Sequence, residues 1–465
     1  MKSAPITMEP LLVFAWVALF LLIGVILRAK VSFFRKYLIP ACILGGVTGF
    51  VANSLDLFSF LGLGVQTQSF HIFIYHLFNL TWIFLGLQRP ADNRNTGQAA
   101  VRRQFWTAGV MMSITSLCFI IVILGGLLLQ NTGDNAPASL GLLNVLGFNN
   151  GPGQALTIAA IWENNTDFLT GVKSFALAGS SLGYLVAVIV GIPILRYFAK
   201  LKNIPCVASP TTVEQIGIYA AGQGPASGQQ TTHPTSLDTL SFHVALGFVL
   251  YLVVLCFFKV LENFAPPGLM QTVWGLFFVI SMGAGMLARK ILNVAGVQFI
   301  CCRNTMTRLN GLLVDFLACA TFISIQVGSV MHFWKPFVVS ALLVTVVTTL
   351  GCWYFYRNEE FDAVQRFAVI YGTMTGTIST GMVLLRMVDP DNKSTAAIEL
   401  GVAAFIQTPF IAFYMASCHW EILSHQSATN IIWAHLVALT LAVGVILLCR
   451  TKKAELQVST VNDGA

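Results

Sequence analysis

Long apolar runs recur along most of this chain, and they constrain its fold more than any other feature. A helix needs about 20 apolar residues to cross the hydrocarbon core of a bilayer. A window of that length finds candidate spans at 10–28, 38–56, 69–88, 105–130, 170–195, 241–260, 269–288, 309–330, 336–356, 395–417 and 428–449. Charged residues make up only 10% of the 465 residues, against about 25% in soluble domains, so lipid is the expected solvent.

The basic residues give these spans a consistent orientation, because Lys and Arg in short loops stay on the cytoplasmic side. Basic residues follow spans one, three, five, seven, nine and eleven, whereas the loops after spans two and four carry Asp56 and Asp134 and no Lys or Arg. We therefore expect the N-terminus outside, the C-terminus inside, and Arg103 and Arg366 in cytoplasmic loops. The net charge of +7 is then a topology signal, and no nucleic-acid partner is expected.

One long polar insert divides the chain. Residues 199–240 are rich in Gly, Pro, Ser and Thr, which predicts a flexible cytoplasmic linker. Five spans precede it in 1–198 and five follow in 241–417, and an odd number of spans makes the second repeat enter the membrane upside down. Residues 418–465 add an extra span and a cytoplasmic tail. The predicted fold is an all-α polytopic membrane protein with two inverted-topology repeats and one further C-terminal span.

Each repeat contains one segment that is too interrupted to cross the membrane simply. These segments, at about 142–163 and about 367–389, each have two short apolar arms around a Gly-rich polar centre, which is typical of a re-entrant or broken-helix hairpin. Matching interruptions in two repeats indicate the binding site of a transporter. We therefore expect the two hairpins to dip from opposite sides and to meet near the midplane, since exposed backbone is tolerated there only when covered.

Polar side chains are concentrated in the two centres beyond what helix packing requires, whereas isolated glycines such as Gly45, Gly46 and Gly283 are read as packing residues. Pro152 interrupts its helix and frees nearby carbonyls, which can coordinate Na⁺, while free N–H groups at a helix start can hold a carboxylate. The predicted substrate-binding residues are Asn149, Asn150, Gly151, Gly153, Gln154, Thr157, Thr373, Thr375, Gly376, Thr377, Ser379, Thr380 and Arg386. Arg386 has a second interpretation, favoured slightly, as an interfacial anchor paired with Asp389.

Ionisable residues inside the predicted spans are costly and are therefore functional candidates. Asp315, with Thr321 and Gln326, is the predicted Na⁺ site, and a structural bond from Asp315 to a neighbouring span is an equal alternative. For Glu399 an interfacial or hydrogen-bonded role is favoured. The histidines of span three, His71 and His76, are read as satisfied core residues.

Three segments carry a family resemblance: RKYLIPACILGG (Arg35 to Gly46), NNGPGQALTIAAIW and YGTMTGTISTGM. In order and spacing they resemble the bacterial glutamate:sodium symporter family. The resemblance implies a homodimeric inner-membrane symporter whose hairpin tips hold glutamate and sodium, with one part of each protomer moving against a dimer scaffold. The chain departs from the family at residues 151–154, which read Gly-Pro-Gly-Gln where the family has His-Gly-Thr-Gly.

Together these features predict sodium-coupled symport of glutamate or a related small carboxylate-bearing solute across the bacterial cytoplasmic membrane. Na⁺ is the expected coupling ion, and neither an organic cofactor nor an enzymatic activity is expected, since no phosphate-binding loop, nucleophile elbow or zinc-protease motif occurs. The alternatives are a proton-coupled carboxylate transporter, with Asp315 as the coupling residue, and a passive channel or exporter.

Overall fold

The structure is a computed structural model that describes residues 9–88, 98–204, 216–219, 228–264, 266, 270, 273–389 and 394–449. Its regular elements are helices, and no strand occurs within the described residues. In chain order the α-helices are α1 (Glu9–Lys30), α2 (Ser32–Lys36), α3 (Ala41–Ser54), α4 (Leu57–Phe60), α5 (Thr67–Leu87), α6 (Gln98–Asn131), α7 (Leu142–Asn149), α8 (Pro152–Asn165), α9 (Val172–Leu201), α10 (Thr239–Glu262), α11 (Phe277–Val294), α12 (Arg303–Ile323), α13 (Val327–His332), α14 (Trp334–Tyr356), α15 (Ala363–Met374), α16 (Ile378–Arg386), α17 (Ala396–Ile406), α18 (Thr408–Ile422) and α19 (Ala428–Cys449).

Nine of the described helices are long and apolar enough to cross a membrane: α1, α5, α6, α9, α10, α11, α12, α14 and α19. The helices α17 and α18 are together long and apolar enough to form a tenth span. The chain bends by 50° between them, at Gln407. Pro409 lies at the start of α18, where its missing N–H does not cost a helical hydrogen bond. Within the described residues, the prediction of an all-helical chain with many helices of membrane-spanning length and composition is confirmed, although nine or ten such helices occur there rather than the eleven predicted.

Several predicted spans differ from the helices observed. Span seven, predicted at 269–288, is the helix α11 at Phe277–Val294, and three further spans differ in length or position. Span two, predicted at 38–56, is the 14-residue α3, which reaches only about 21 Å and is too short to be counted among the nine. Pro40 precedes this helix, and Asp56 beyond its end has a left-handed backbone with φ of 53°. Span four begins at Gln98 rather than 105, which places Arg103 inside a helix. Span eight ends at Ile323 rather than 330.

The helices group into two compact units, and each unit takes helices from both halves of the sequence. The first unit consists of Met1–Arg89, Pro152–Ser181 and Ser209–His332, and the second of Pro90–Gly151, Leu182–Ala208 and Phe333–Ala465. The first three predicted spans of each half therefore lie in the first unit. Spans four, nine, ten and eleven lie in the second. Much of the predicted linker, at 205–215 and 220–227, and the tail at 450–465 lie outside the described residues.

Close backbone contacts hold the first unit together. A Cβ on Gly45 would overlap the carbonyl oxygen of Phe20, so α1 and α3 pack backbone against backbone. Gly46 packs directly on the ring of Phe322. The packing role predicted for these two glycines is confirmed, whereas Gly283 has open space where its Cβ would be and is not a packing residue.

Candidate functional site

Both predicted polar centres are breaks between two helices. In the first, α7 ends at Asn149 and α8 begins at Pro152. Gly151 between them has a φ of +92°, which glycine adopts readily because it has no Cβ. Proline suits the first position of a helix, where an N–H would have no partner. The sequence Gly151-Pro152 thus ends one helix and starts another.

The second break lies between α15 and α16, at residues 375–377. These helices pack side by side, since a Cβ on Gly372 would lie 2.7 Å from the Cα of Gly381. The chain also returns to the end at which it entered. The backbone N–H of Thr395, which follows α16, donates to Oδ2 of Asp362, which precedes α15, at 3.1 Å.

Helices α15 and α7 start at opposite ends of the bent pair α17–α18. Thr395, at the base of the second break, is the residue that precedes α17. Glu421, in the last turn of α18, accepts hydrogen bonds from the backbone N–H groups of Ala138 and Ser139 at 3.1 and 2.6 Å. These two residues open the short 3₁₀ turn that leads into α7. The chain therefore enters α7 and α15 from opposite ends of α17–α18.

The end of α7 and the second break approach each other inside the second unit. A Cβ on Gly151 would lie 3.4 Å from Cγ2 of Thr377 and 3.7 Å from the carbonyl oxygen of Gly376. Helix α9 packs against the same place, because a Cβ on Gly183 would lie 2.5 Å from the carbonyl oxygen of Thr375. We call the region formed by Asn149, Asn150, Gly151, Gly376 and Thr377 the break junction.

Three buried polar atoms of the break junction have no hydrogen-bond partner among the described residues: Oδ1 of Asn149, Nδ2 of Asn150 and Oγ1 of Thr377. The amide nitrogen of Asn149 does have one, since it donates to Oγ1 of Thr115 at 3.3 Å. A buried polar group without a partner costs about 1–3 kcal/mol. Three such atoms at one place indicate a site for water, an ion or a polar solute.

Other predicted residues of the second hairpin have different surroundings. The hydroxyls of Thr373 and Thr375 donate to carbonyl oxygens of their own helix, those of Val369 and Tyr371, at 2.7 and 2.8 Å. Thr380 is buried in the first turn of α16, and the side chain of Ser379 lies outside the described part of the chain.

Arg386 does not reach the break junction. It is exposed in the last turn of α16, eight residues from the helix start and therefore about 12 Å away along the axis. The geometry thus disfavours a contact between its guanidinium and a solute held at the junction.

Three predicted residues, Gly153, Gln154 and Thr157, belong to the first unit. Gly153 packs on the ring of Phe78, and Thr157 donates to the carbonyl oxygen of Gly153 at 2.7 Å. Gln154 is completely buried, and neither atom of its amide has a partner among the described residues. Of the three, Gln154 has the side chain that is available to a ligand.

The predicted Na⁺ ligands also lie in the first unit, and each has a different partner. The Cys42 thiol hydrogen-bonds Asp315, and Thr321 donates to the carbonyl oxygen of Leu317 at 2.7 Å. Gln326 donates to Oγ1 of Thr67 at 2.9 Å and, with Asn53 and Ser54, lines a surface cavity of about 350 Å³. Asp315 and Thr321 are six residues, or about 9 Å, apart along α12, so the described geometry does not assemble one coordination shell from the three.

The histidines of α5 differ from each other. Nδ1 of His76 hydrogen-bonds the Tyr251 hydroxyl, as expected for a satisfied core residue. His71 is buried, but neither of its ring nitrogens has a partner among the described residues, so the expectation fails for it.

The second unit contains a buried ion network that the sequence analysis missed. Oε1 of Glu399 accepts a hydrogen bond from Nε of Arg103 at 3.0 Å, and its Oε2 lies 2.9 Å from Nε of Arg366. The second contact is close but poorly aligned, so it is an ion pair rather than a hydrogen bond. Arg366 also donates to Oγ1 of Thr107 at 3.0 Å, and its guanidinium lies 4.8 Å from the centroid of the Trp106 ring.

This network corrects the prediction for its two arginines. Arg103 and Arg366 do not lie in loops, because α6 starts seven residues earlier than predicted and α15 starts at Ala363. Both side chains are buried. The hydrogen-bonded role favoured for Glu399 is confirmed. The sequence did contain one signal for this network. Glu399 is a carboxylate within an apolar segment, and such a group needs a partner.

The fold and these sites define a multi-pass helical membrane protein with two helix breaks and a buried polar junction. No known protein family, curated protein or solved structure matches the chain.

Proposed function

We propose that this protein is a secondary active transporter that carries a small carboxylate-bearing solute together with Na⁺. The observation that carries the proposal is the break junction, where Gly151 and Thr377 approach each other beside three buried polar atoms that have no partner within the described part of the chain. Backbone interrupted inside a helical membrane protein is tolerated only where protein or water covers it. A binding site explains both the interruption and the unsatisfied atoms.

The architecture that we propose has two re-entrant hairpins in two inverted repeats. Three observations support it: α7 and α15 start at opposite ends of α17–α18, the second hairpin returns to its own starting end, and the breaks meet. Each compact unit also contains corresponding spans of both sequence halves, as expected when two repeats intertwine.

The start of α16 favours a carboxylate as the solute's anionic group. Thr377 is the N-cap residue of this helix and makes no side-chain capping bond to a described residue, so the first N–H groups keep their capacity to donate. The positive end of the helix dipole attracts an anion to this place. The hydroxyl of Thr377 and the amide N–H₂ of Asn150 supply two further donors.

Oxygen ligands for a hard cation are present at the same junction. Oδ1 of Asn149 and the carbonyl oxygen of Gly376 are both of the type that Na⁺ binds. The choice of Na⁺ and glutamate rests on the family resemblance. The proposed homodimer and the proposed location in the bacterial inner membrane rest on it as well. Because Lys and Arg in short loops stay on the cytoplasmic side, we propose that the N-terminus is outside and the C-terminus inside.

The decisive experiment is uptake into proteoliposomes that contain the purified full chain. An inward Na⁺ gradient should accumulate labelled glutamate or another small carboxylate above equilibrium, and dissipation of the gradient should abolish accumulation. A proton gradient alone should not replace it. Accumulation driven by protons would support the proton-coupled alternative, and gradient-independent flux would support a passive channel or exporter. Absence of uptake across a panel of small carboxylates would refute the proposal.

A further inference from the structure

The bent pair α17–α18 carries one carboxylate near each end. Glu399 lies in the first turn of α17, and Glu421 lies in the last turn of α18. Both belong to the second unit, which also contains α7, α15 and α16. Each carboxylate contacts the base of a different break.

Glu399 holds the base of the second hairpin. It pairs with Arg366, in the first turn of α15, and it accepts a hydrogen bond at 2.9 Å from the hydroxyl of Thr395, at the exit of the hairpin. Thr395 is in turn bonded to Asp362 at the entry of the hairpin. Arg103 connects the same carboxylate to α6. The entry and the exit of the hairpin are therefore fixed to one buried group.

Glu421 holds the base of α7. Its two carboxylate oxygens accept one hydrogen bond each from the backbone N–H groups of Ala138 and Ser139. These are the first residues of the 3₁₀ turn that continues into α7. N–H groups at a helix start have no partner within the helix, and a carboxylate there is favoured by the helix dipole.

We propose that α17–α18 is a bracket that sets the separation of the two break tips, with Glu399 and Glu421 as its positioning residues. Helix α7 connects the base held by Glu421 to the first break, and α15 connects the base held by Glu399 to the second break. Movement at either base is therefore transmitted to the break junction. The 50° bend at Gln407 lies between the two carboxylates, so a change in this bend would move one base relative to the other. The effect on transport rests on the proposed function, whereas the effect on the hairpins does not.

Hydrogen exchange of the full-length protein in nanodiscs, read by mass spectrometry, tests the bracket without any transport assay. E399Q should accelerate exchange in 363–386, relative to the rest of the protein, by on the order of tenfold, as expected when a charge-assisted hydrogen bond is lost. E421Q should accelerate exchange in 138–149 instead. If E399Q does not fold, T395V keeps the buried charge and removes only the hydroxyl link, and it should loosen the same hairpin more weakly.

The matched control is E262Q, which removes the charge of a half-buried carboxylate of the first unit, keeps an oxygen that can accept from Trp274 Nε1, and should change neither hairpin. In the uptake assay, E421Q should raise KM for the solute more than it lowers the maximal rate, since the tips would no longer be held at their binding distance. Unchanged exchange in both hairpins, or acceleration in the hairpins no greater than in the rest of the chain, would overturn the bracket. If the two variants show the predicted faster exchange but the unmodified protein takes up no solute, the bracket is supported and the proposed function is refuted.

Discussion

Oε2 of Glu399 lies 2.9 Å from Nε of Arg366, and both side chains are almost completely buried in the second unit. This contact joins the first turn of α17 to the first turn of α15, and α16 lies between these two helices in the chain. Arg103 approaches the same carboxylate from α6. Glu399 therefore contacts two buried guanidinium groups, and the half-buried Glu359 lies 3.7 Å from one of them, that of Arg366.

Removal of the charge on Glu399 should therefore destabilise the protein strongly. We expect E399Q to lower the free energy of unfolding by about 3–5 kcal/mol, the range for buried pairs that lose one partner. Denaturant unfolding in detergent micelles measures this value. E262Q weakens a solvent-accessible i,i+3 pair with Lys259 and keeps an acceptor for Trp274 Nε1, so it should leave the unfolding midpoint nearly unchanged. An E399Q protein as stable as the unmodified chain would contradict a role of the network in folding.

Substitution of Thr377 should separate binding from stability. Its hydroxyl has no partner among the described residues, so T377V should not lower the melting temperature, yet it should raise KM for the solute by about tenfold if the hydroxyl binds it. T373V is the matched control, because that hydroxyl bonds to Val369 within its own helix. Uptake kinetics and thermal melting should be compared. Equal KM values for T377V and T373V would exclude a contact between Thr377 and the solute.

Gly183 keeps α9 close to the second break. The Cβ of G183A would lie 2.5 Å from the carbonyl oxygen of Thr375, a backbone atom that can move only with the break itself. We expect G183A to reduce the maximal rate of uptake and to lower the melting temperature. G401A provides the control, since Gly401 has open space around its Cβ position and Ala is favoured over Gly in a helix by about 1 kcal/mol. Similar losses in both variants would show that any added methyl is harmful.

Cys302 should be a more acidic thiol than an ordinary cysteine. Burial raises its pKa, but hydrogen bonds from the Thr305 side chain and from the backbone N–H groups of Gln229, Thr305 and Asn304 outweigh burial and lower the pKa to about 7. The thiolate reacts and the thiol does not, so alkylation by iodoacetamide should rise with pH and be half-maximal near pH 7.

The measurement is peptide mass spectrometry after timed labelling in a C301S background, which leaves one reactive thiol in that peptide. T305V removes a hydrogen bond to the thiolate and should move the midpoint of labelling upward. A midpoint near 8.5 in the starting protein would contradict the role of these hydrogen bonds, because about 8.5 is the value of an unperturbed cysteine.

The local features of the fold could be predicted from the sequence, because they depend on neighbouring residues. Apolar length identified most of the spans, and the Gly-Pro and Gly-Thr runs located both breaks to within a few residues of Gly151 and Thr377. The pairing of Arg103 with Glu399 joins residues 296 positions apart, and no local pattern encodes such a pair. The loop assignment of Arg103 failed because charged residues can continue a helix when a partner elsewhere in the fold compensates them.

The site residues show the same limit. Composition singled out every polar group of the two breaks. It could not separate Thr377, whose hydroxyl has no partner in the described segments, from Thr373, whose hydroxyl bonds within its own helix. Nor could it show that Arg386 lies at the far end of its helix. Such distinctions depend on which direction a side chain takes, and this follows from helix phase and packing.

The shortness of α3 has a consequence for the surrounding lipid. Fourteen residues reach about 21 Å, whereas the hydrocarbon core is about 30 Å thick. Beyond its end, the exposed rings and aliphatic side chains of Leu55, Phe60 and Leu61 offer an apolar surface that can occupy the missing depth. Where α3 faces lipid, either the acyl chains compress or these side chains fill the missing depth, and we therefore expect the stability of the protein to depend on acyl-chain length.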